Sequence, residues 1–147
     1  ARGFAQRLKE IAPGLKVVAS LPGDWDRMKA ANITNDILTR HPDLKAIFAA
    51  NDGMALGAVE SAYAAGKGQD ILIVGVDGNS DAVKSIKSGR LNASVAQLPY
   101  LVGKRSVIGA TASLNGLKME KFQFVDTLVL TKDIIEKNQH PLMQFVR

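Results

Sequence analysis

Trp25, Asn51, Asp77 and Gln97 each stand at or just beyond the end of a short apolar run. Together they offer an indole, two amides and a carboxylate. An ionised carboxylate accepts hydrogen bonds from two hydroxyls, and an amide both donates and accepts. An indole face covers the apolar C–H face of a sugar ring. Charge-assisted hydrogen bonds to Asp77 would carry much of the affinity. The set suits a small polyhydroxylated ligand. Taken singly, each residue has a plainer reading. Asn51-Asp52 reads as a helix cap, with Asp52 the expected cap and Asn51 left free. Asp77-Gly78 reads as a turn, Gln97 as a loop residue and Trp25 as a half-buried core aromatic. Their recurrence at four successive strand ends favours the ligand-binding reading.

The elements that position them follow from two alternating periods. Leu15 to Ser20, Lys45 to Ala50, Ile71 to Val76 and Leu91 to Ala96 are short and mostly β-branched or apolar. The first three are continuous apolar runs after their first residue or so, which marks parallel strands covered on both faces. Helical stripes lie between them. Met28, Ile33, Ile37 and Leu38 end before Pro42; Met54, Leu56, Val59 and Tyr63 stop at Gly66; Val83 and Ile86 stop at Gly89. Strands alternating with helices predict βαβ units. The expected fold is a Rossmann-like three-layer αβα lobe with a mainly parallel sheet. In such a sheet ligands sit just beyond the carboxyl ends of the strands, where these residues fall. Residues 1–12 read as an amphipathic helix with Phe4, Leu8 and Ile11 on one side. A Gly-, Ala- and Ser-rich helix is expected from about Tyr100 to Leu117, able to pack closely against something. A last strand is expected over Phe122 to Thr131, then a short helix over Lys132 to Asn138 and a tail.

The 147 residues suffice for one ordinary core. With 46% hydrophobic and 22% charged residues the balance is globular. No apolar run approaches the roughly 20 residues that span a bilayer. The absence of cysteine excludes a disulfide scaffold, a thiol nucleophile and a Cys-ligated zinc site. The formal charge of +5 comes from scattered lysines and arginines at helical spacing, without interleaved aromatics. That reads as a solvated helix face rather than a nucleic-acid surface. No GxGxxG turn, Walker-type GK[ST] or GxSxG elbow is present. His41 and His140 sit away from any serine or carboxylate pair at a strand end, so neither a triad nor a general base is expected. Asp24, Asp26 and Asp52 read as caps and surface groups rather than a hard-cation cluster. Neither a cofactor nor a metal is expected, and an enzyme is not the reading.

The segments LPGDWDRMKA, HPDLKAIFAANDGMALGAVESA, ILIVGVDGNSDAVKSI and GRLNASVAQLPY resemble the second half of the periplasmic ribose- and allose-binding proteins. Their order and spacing match from Arg2-Gly3-Phe4 to about Thr131. The Trp of DWDR looks more like the allose-binding branch, since the ribose-binding pattern implies phenylalanine there. The resemblance implies one half of a type 1 periplasmic binding protein. Such a two-lobed receptor closes on a monosaccharide and delivers it to an ABC-type permease, in some members also to a chemotaxis receptor. It implies a periplasmic, or exported and lipid-anchored, location. Carried over by position, Trp25 matches the stacking aromatic, and Asn51, Asp77 and Gln97 match the polar ligand contacts. Val76 departs from the ribose-binding pattern, which has an aromatic there, and a smaller wall leaves room for a bulkier sugar.

On this resemblance residues 1–97 form the C-terminal sugar-binding lobe without its first strand. Residues 98–121 cross into an N-terminal lobe absent from this chain, and 122–147 supply the return strand, short helix and tail. The effector domain of a LacI-type repressor shares the fold and is the alternative; the DWDR and AQLPYLVG segments favour the transport receptor. A sugar-modifying enzyme on the same sheet would need a catalytic base, and none stands out.

Overall fold

Side-chain oxygens start the main helices where the sequence switches from period two to period 3.6. The computed structural model describes residues 2–146; Ala1 and Arg147, at the ends of the expected first helix and tail, lie outside them. Helix α1 spans Arg2–Ile11 and α2 spans Arg27–Arg40. Strand β1 (Ala46–Phe48) leads to α3 (Asp52–Ala64), β2 (Leu72–Asp77) to α4 (Ser80–Lys87), and β3 (Ala93–Ala96) to α5 (Pro99–Leu114). Strand β4 (Leu128–Thr131), α6 (Lys132–Lys137) and a 3-10 turn (Pro141–Phe145) complete the chain. Asp26, Asn51, Asn79 and Thr131 each accept a hydrogen bond from the backbone N–H three residues on, the usual N-cap arrangement.

The sheet order is β1-β2-β3-β4. The first three strands are parallel, with Phe48 beside Val74 and Asp77 beside Ala96. Strand β4 runs antiparallel to β3. Side chains alternate between the two faces of a strand. Ile73, Ser94 and Leu130 are buried on the face that carries Gly75. Helix α3 covers this face and buries Met54, Ala55, Ala58, Val59 and Ala62. Helix α1 reaches the opposite face, where the Phe4 ring stacks on Phe48 at 4.6 Å. That second layer is thin, and Leu72 and Val129 remain exposed.

Three expectations need correction. Residues 15–20 run without strand pairing among the described residues, and Leu15, Val17 and Val18 are exposed. β-propensity reflects fit to a paired, half-buried surface, and this segment has neither ladder nor cover. The strand expected over Phe122 to Thr131 shrinks to Leu128–Thr131, because its partner β3 offers only Ala93–Ala96. Phe122 and Phe124 therefore stay in solvent. The expected tail is docked: Leu142, Met143, Phe145 and Val146 pack on the core, and Phe145 stacks on Tyr100 at 5.3 Å. Helix α5 forms as expected but buries none of its residues.

Helices α2 and α3 approach closely at Gly57, where an added Cβ would run into the Arg27 carbonyl oxygen and lie 3.2 Å from the Ala31 nitrogen. Alanine is the better helix former by about 1 kcal/mol, whereas overpacking against backbone costs about 1–3 kcal/mol. Gly57→Ala is expected to lower the urea midpoint, with a net loss of about 1 kcal/mol or more. An unchanged or raised midpoint would show that the α2–α3 spacing is not set by this contact.

Candidate functional site

The parallel strands β1, β2 and β3 place Asn51, Asp77 and Gln97 at one end of the sheet. Asp77 is the last residue of β2, and Gln97 follows β3 directly. The Gln97 backbone N–H donates to the Asp77 carbonyl at 3.1 Å. The Gln97 side-chain Nε2 donates to Asp77 Oδ1 at 2.7 Å. Among the described residues Asp77 enters no ion pair, and its Oδ2 accepts no hydrogen bond within the protein. That oxygen is free to take a hydroxyl donor.

Asn51, not Asp52, is the α3 cap. Its Oδ1 accepts from the Met54 N–H at 2.8 Å, which leaves its Nδ2 as the group able to donate outward. Trp25 lies in the loop before α2 with φ 61°, next to Asp24 at φ 49°. Its side chain is in solvent, with 70% of the residue exposed, so the reading as a half-buried core aromatic fails. The structure thus joins Asp77 and Gln97 directly and sets Asn51 on a neighbouring strand end. Among the described residues no hydrogen bond or ring contact links Trp25 to the other three.

Asp52 is neither a cap nor a surface group. It is fully buried at the first turn of α3. Its Oδ2 accepts from the Gly78 N–H at 2.8 Å and the Asn79 N–H at 2.9 Å. Its Oδ1 accepts from Ser94 Oγ at 2.6 Å, and that hydroxyl also accepts from the Gly78 N–H at 3.1 Å. Helix α3 is thereby tied to the turn after β2 and to the middle of β3. Burial pushes the Asp52 carboxyl above its ordinary range. The hydrogen bonds from Ser94, Asn79 and Gly78 oppose that shift, and the nearby Asp77 charge adds to it. Asp52 and Ser94 escaped the sequence reading. The available signal was Gly75, a glycine inside a strand, which marks a close approach. A Cβ there would collide with Asp52 Oδ1. Among the described residues no group of three or more His, Cys, Asp or Glu is placed to hold a metal ion.

An open, mainly parallel sheet with helices packed on it defines the chain as a Rossmann-like α/β lobe. The chain belongs to the periplasmic binding protein domain family, whose model matches residues 1–118. The ribose import binding protein of Escherichia coli is 42% identical over 130 residues, covering 88% of this chain and 43% of that protein. The D-allose-binding periplasmic protein of Escherichia coli is 38% identical over 137 residues, covering 89% and 44%. A periplasmic solute-binding protein from Actinobacillus succinogenes with bound D-allose superposes with a TM-score of 0.85 at 32% identity, covering 92% of this chain and 48% of that one. A solute-binding protein from Agrobacterium vitis with bound D-fucose gives 0.85 at 33% identity, covering 99% and 49%. The chain spans less than half the length of these relatives.

The Asp52 network sets a stability test. Asp52→Ala removes the acceptor of the Asn79 N–H and of the Ser94 hydroxyl and leaves the Gly78 N–H only its longer bond to Ser94 Oγ, at about 1–3 kcal/mol for each buried group left unsatisfied. Asp52→Asn keeps an acceptor for the N–H pair and a donor toward Ser94, so its loss is smaller. An acid with a raised folded pKa binds its proton more tightly in the native state than in the unfolded one. Its favourable contribution is present below the ordinary carboxylate range and is lost as pH rises through the folded value. Asp52→Asn removes this titration. Urea unfolding between about pH 4 and 7 should show a flatter dependence on pH above the carboxylate range in the Asn variant. Identical profiles would show that Asp52 does not titrate in this window.

Proposed function

We propose that this chain is the C-terminal lobe of a solute-binding receptor for a monosaccharide of the allose or ribose type, feeding an ABC-type importer. The observation that carries the reading is the Asp77–Gln97 pair at adjoining strand ends, with one carboxylate oxygen unused and no ion pair at Asp77. Ring hydroxyls would donate to Asp77, the amides of Asn51 and Gln97 would complete the polar contacts, and the exposed Trp25 indole would cover a C–H face. Relatives with ribose and allose in their names, and similar structures that hold D-allose and D-fucose, support a sugar as ligand. The same relatives favour a transport receptor over an enzyme. A second lobe, reached through residues 98–121, would close over the sugar. The exposed Val102, Val107 and Ile108 of α5 are consistent with that crossing. A periplasmic or exported, lipid-anchored location and a chemotaxis receptor as a further partner belong to the same reading.

Sugar pockets of this kind bury most of the ligand between two surfaces. One edge retains part of the hydrogen bonds and one face of the ring. Isolated, the 147-residue chain is expected to bind allose or ribose only at about millimolar concentration or weaker, while the two-lobed protein binds at about micromolar. In the two-lobed protein, Asp77→Asn should weaken binding by about tenfold or more, since a charge-assisted hydrogen bond is lost. Calorimetry against a panel of pentoses and hexoses reads both effects. Micromolar binding by the isolated chain would rule out the closing cleft, and an Asp77→Asn variant of unchanged affinity would remove Asp77 from the site.

A further inference from the structure

We infer that Asp52, which lies behind the strand-end edge, is a positioning residue that sets ligand affinity by holding Asp77 in a backbone conformation it would not otherwise keep. The inference rests on the sugar-binding reading of Asp77.

Asp77 has φ 125°. L-residues rarely adopt such backbone, and it persists only where the surroundings over-determine it. Two sets of contacts do so here. On one side Gln97 holds the residue itself, through its backbone N–H to the Asp77 carbonyl and its Nε2 to Oδ1. On the other side the next two backbone N–H groups, of Gly78 and Asn79, both point at Asp52 Oδ2. The peptide that leaves Asp77 is therefore clamped from within the core. Gly78 has φ 77°, and a Cβ there would lie 2.6 Å from Ala96 Cβ, so the turn is pressed onto β3 as well. Asn79 then caps α4 through its own side chain.

The clamp lies in the core rather than at the edge: Asp52 is fully buried, so solvent does not compete with it for the two N–H groups in the native protein. Among the described residues, Asp77 is the ionisable group whose charge acts on Asp52. The other facing groups are the Ser94 hydroxyl from β3 and the Gly78 and Asn79 amides of the turn. Without the acceptor at Oδ2, the Asn79 N–H loses its partner and the Gly78 N–H keeps only its longer bond to Ser94 Oγ, so Asp77 is free to relax toward ordinary extended φ. Its carboxylate would then leave both Gln97 Nε2 and the edge. Affinity gained through rigid placement of a group before binding is lost when that placement is lost.

Two measurements test this. The first needs no sugar. In the isolated chain, the NMR signal of the Gln97 side-chain amide reports its bond to Asp77. Asp52→Ala should move that signal and the Asp77 backbone resonances, and Asp52→Asn should leave both near the wild-type position. The second is calorimetry of the two-lobed protein with D-allose and D-ribose. Asp52→Ala is expected to weaken binding about tenfold or more, with Asp52→Asn restoring it to within about threefold. Should Asp52→Ala fail to fold, Asp52→Ser, whose shorter side chain puts no acceptor at the Oδ2 position, carries the same comparison. An unmoved Gln97 signal in a folded Ala variant overturns the positioning role. So does equal affinity of a folded Ala variant and wild type, and so does an Asn variant as weak as the Ala variant. If the wild-type two-lobed protein binds neither these sugars nor related ones, the sugar-binding reading fails and the inference about affinity falls with it, whereas the NMR arm still decides whether Asp52 positions Asp77.

Discussion

The carboxylate of Asp52 is the point on which this lobe turns. It collects two backbone N–H groups and a hydroxyl while fully buried. Burying an ionisable group is unfavourable unless its hydrogen bonds are made in full. The structure meets that requirement with donors from two different elements, the turn after β2 and strand β3. Gly75 accommodates the network by leaving room where any other residue would place a Cβ. A local requirement for satisfied acceptors thus becomes a long-range constraint. Helix α3, the β2–α4 turn and β3 cannot shift relative to one another without stranding a buried polar group.

That constraint shapes the strand-end edge. Asp77 stands beside the locked turn, and Gln97 extends from the strand that carries Ser94. The edge is polar and accessible, and the proposed role as a receptor for small hydroxylated ligands needs such groups held in place before the ligand arrives. The division of labour between the neighbouring residues Asn51 and Asp52 follows from helix geometry. The cap residue lies outside the first turn and keeps one polar group outward, whereas Asp52, the first residue of the helix, is directed into the core.

Apolar surface is unevenly disposed. One face of the sheet lies under α3 and is close-packed, while Leu72 and Val129 on the other face, and Val107, Ile108 and Leu114 on α5, remain in solvent. Exposed apolar surface of this extent commonly marks an interaction site. Its position on α5 agrees with the proposal that residues 98–121 connect to a second lobe.

The sequence alone determined the α/β class, the alternation of strands and helices, and the strand-end placement of Asn51, Asp77 and Gln97. Those properties depend on local periodicity and on turn chemistry, which a linear reading can see. It also carried the motifs by which the chain resembles sugar-binding receptors. Tertiary structure decided the rest. Residues 15–20 have the composition of a strand but lack a partner, and residues 122–127 lack a ladder long enough to join, because pairing is a property of two segments. Trp25 is exposed because the loop that bears it turns through left-handed backbone, which no hydrophobicity pattern reports. The exchange of roles between Asn51 and Asp52 was equally hidden. Both are good caps, and only the arrival of Gly78, Asn79 and Ser94 from distant parts of the chain gives the buried carboxylate its donors.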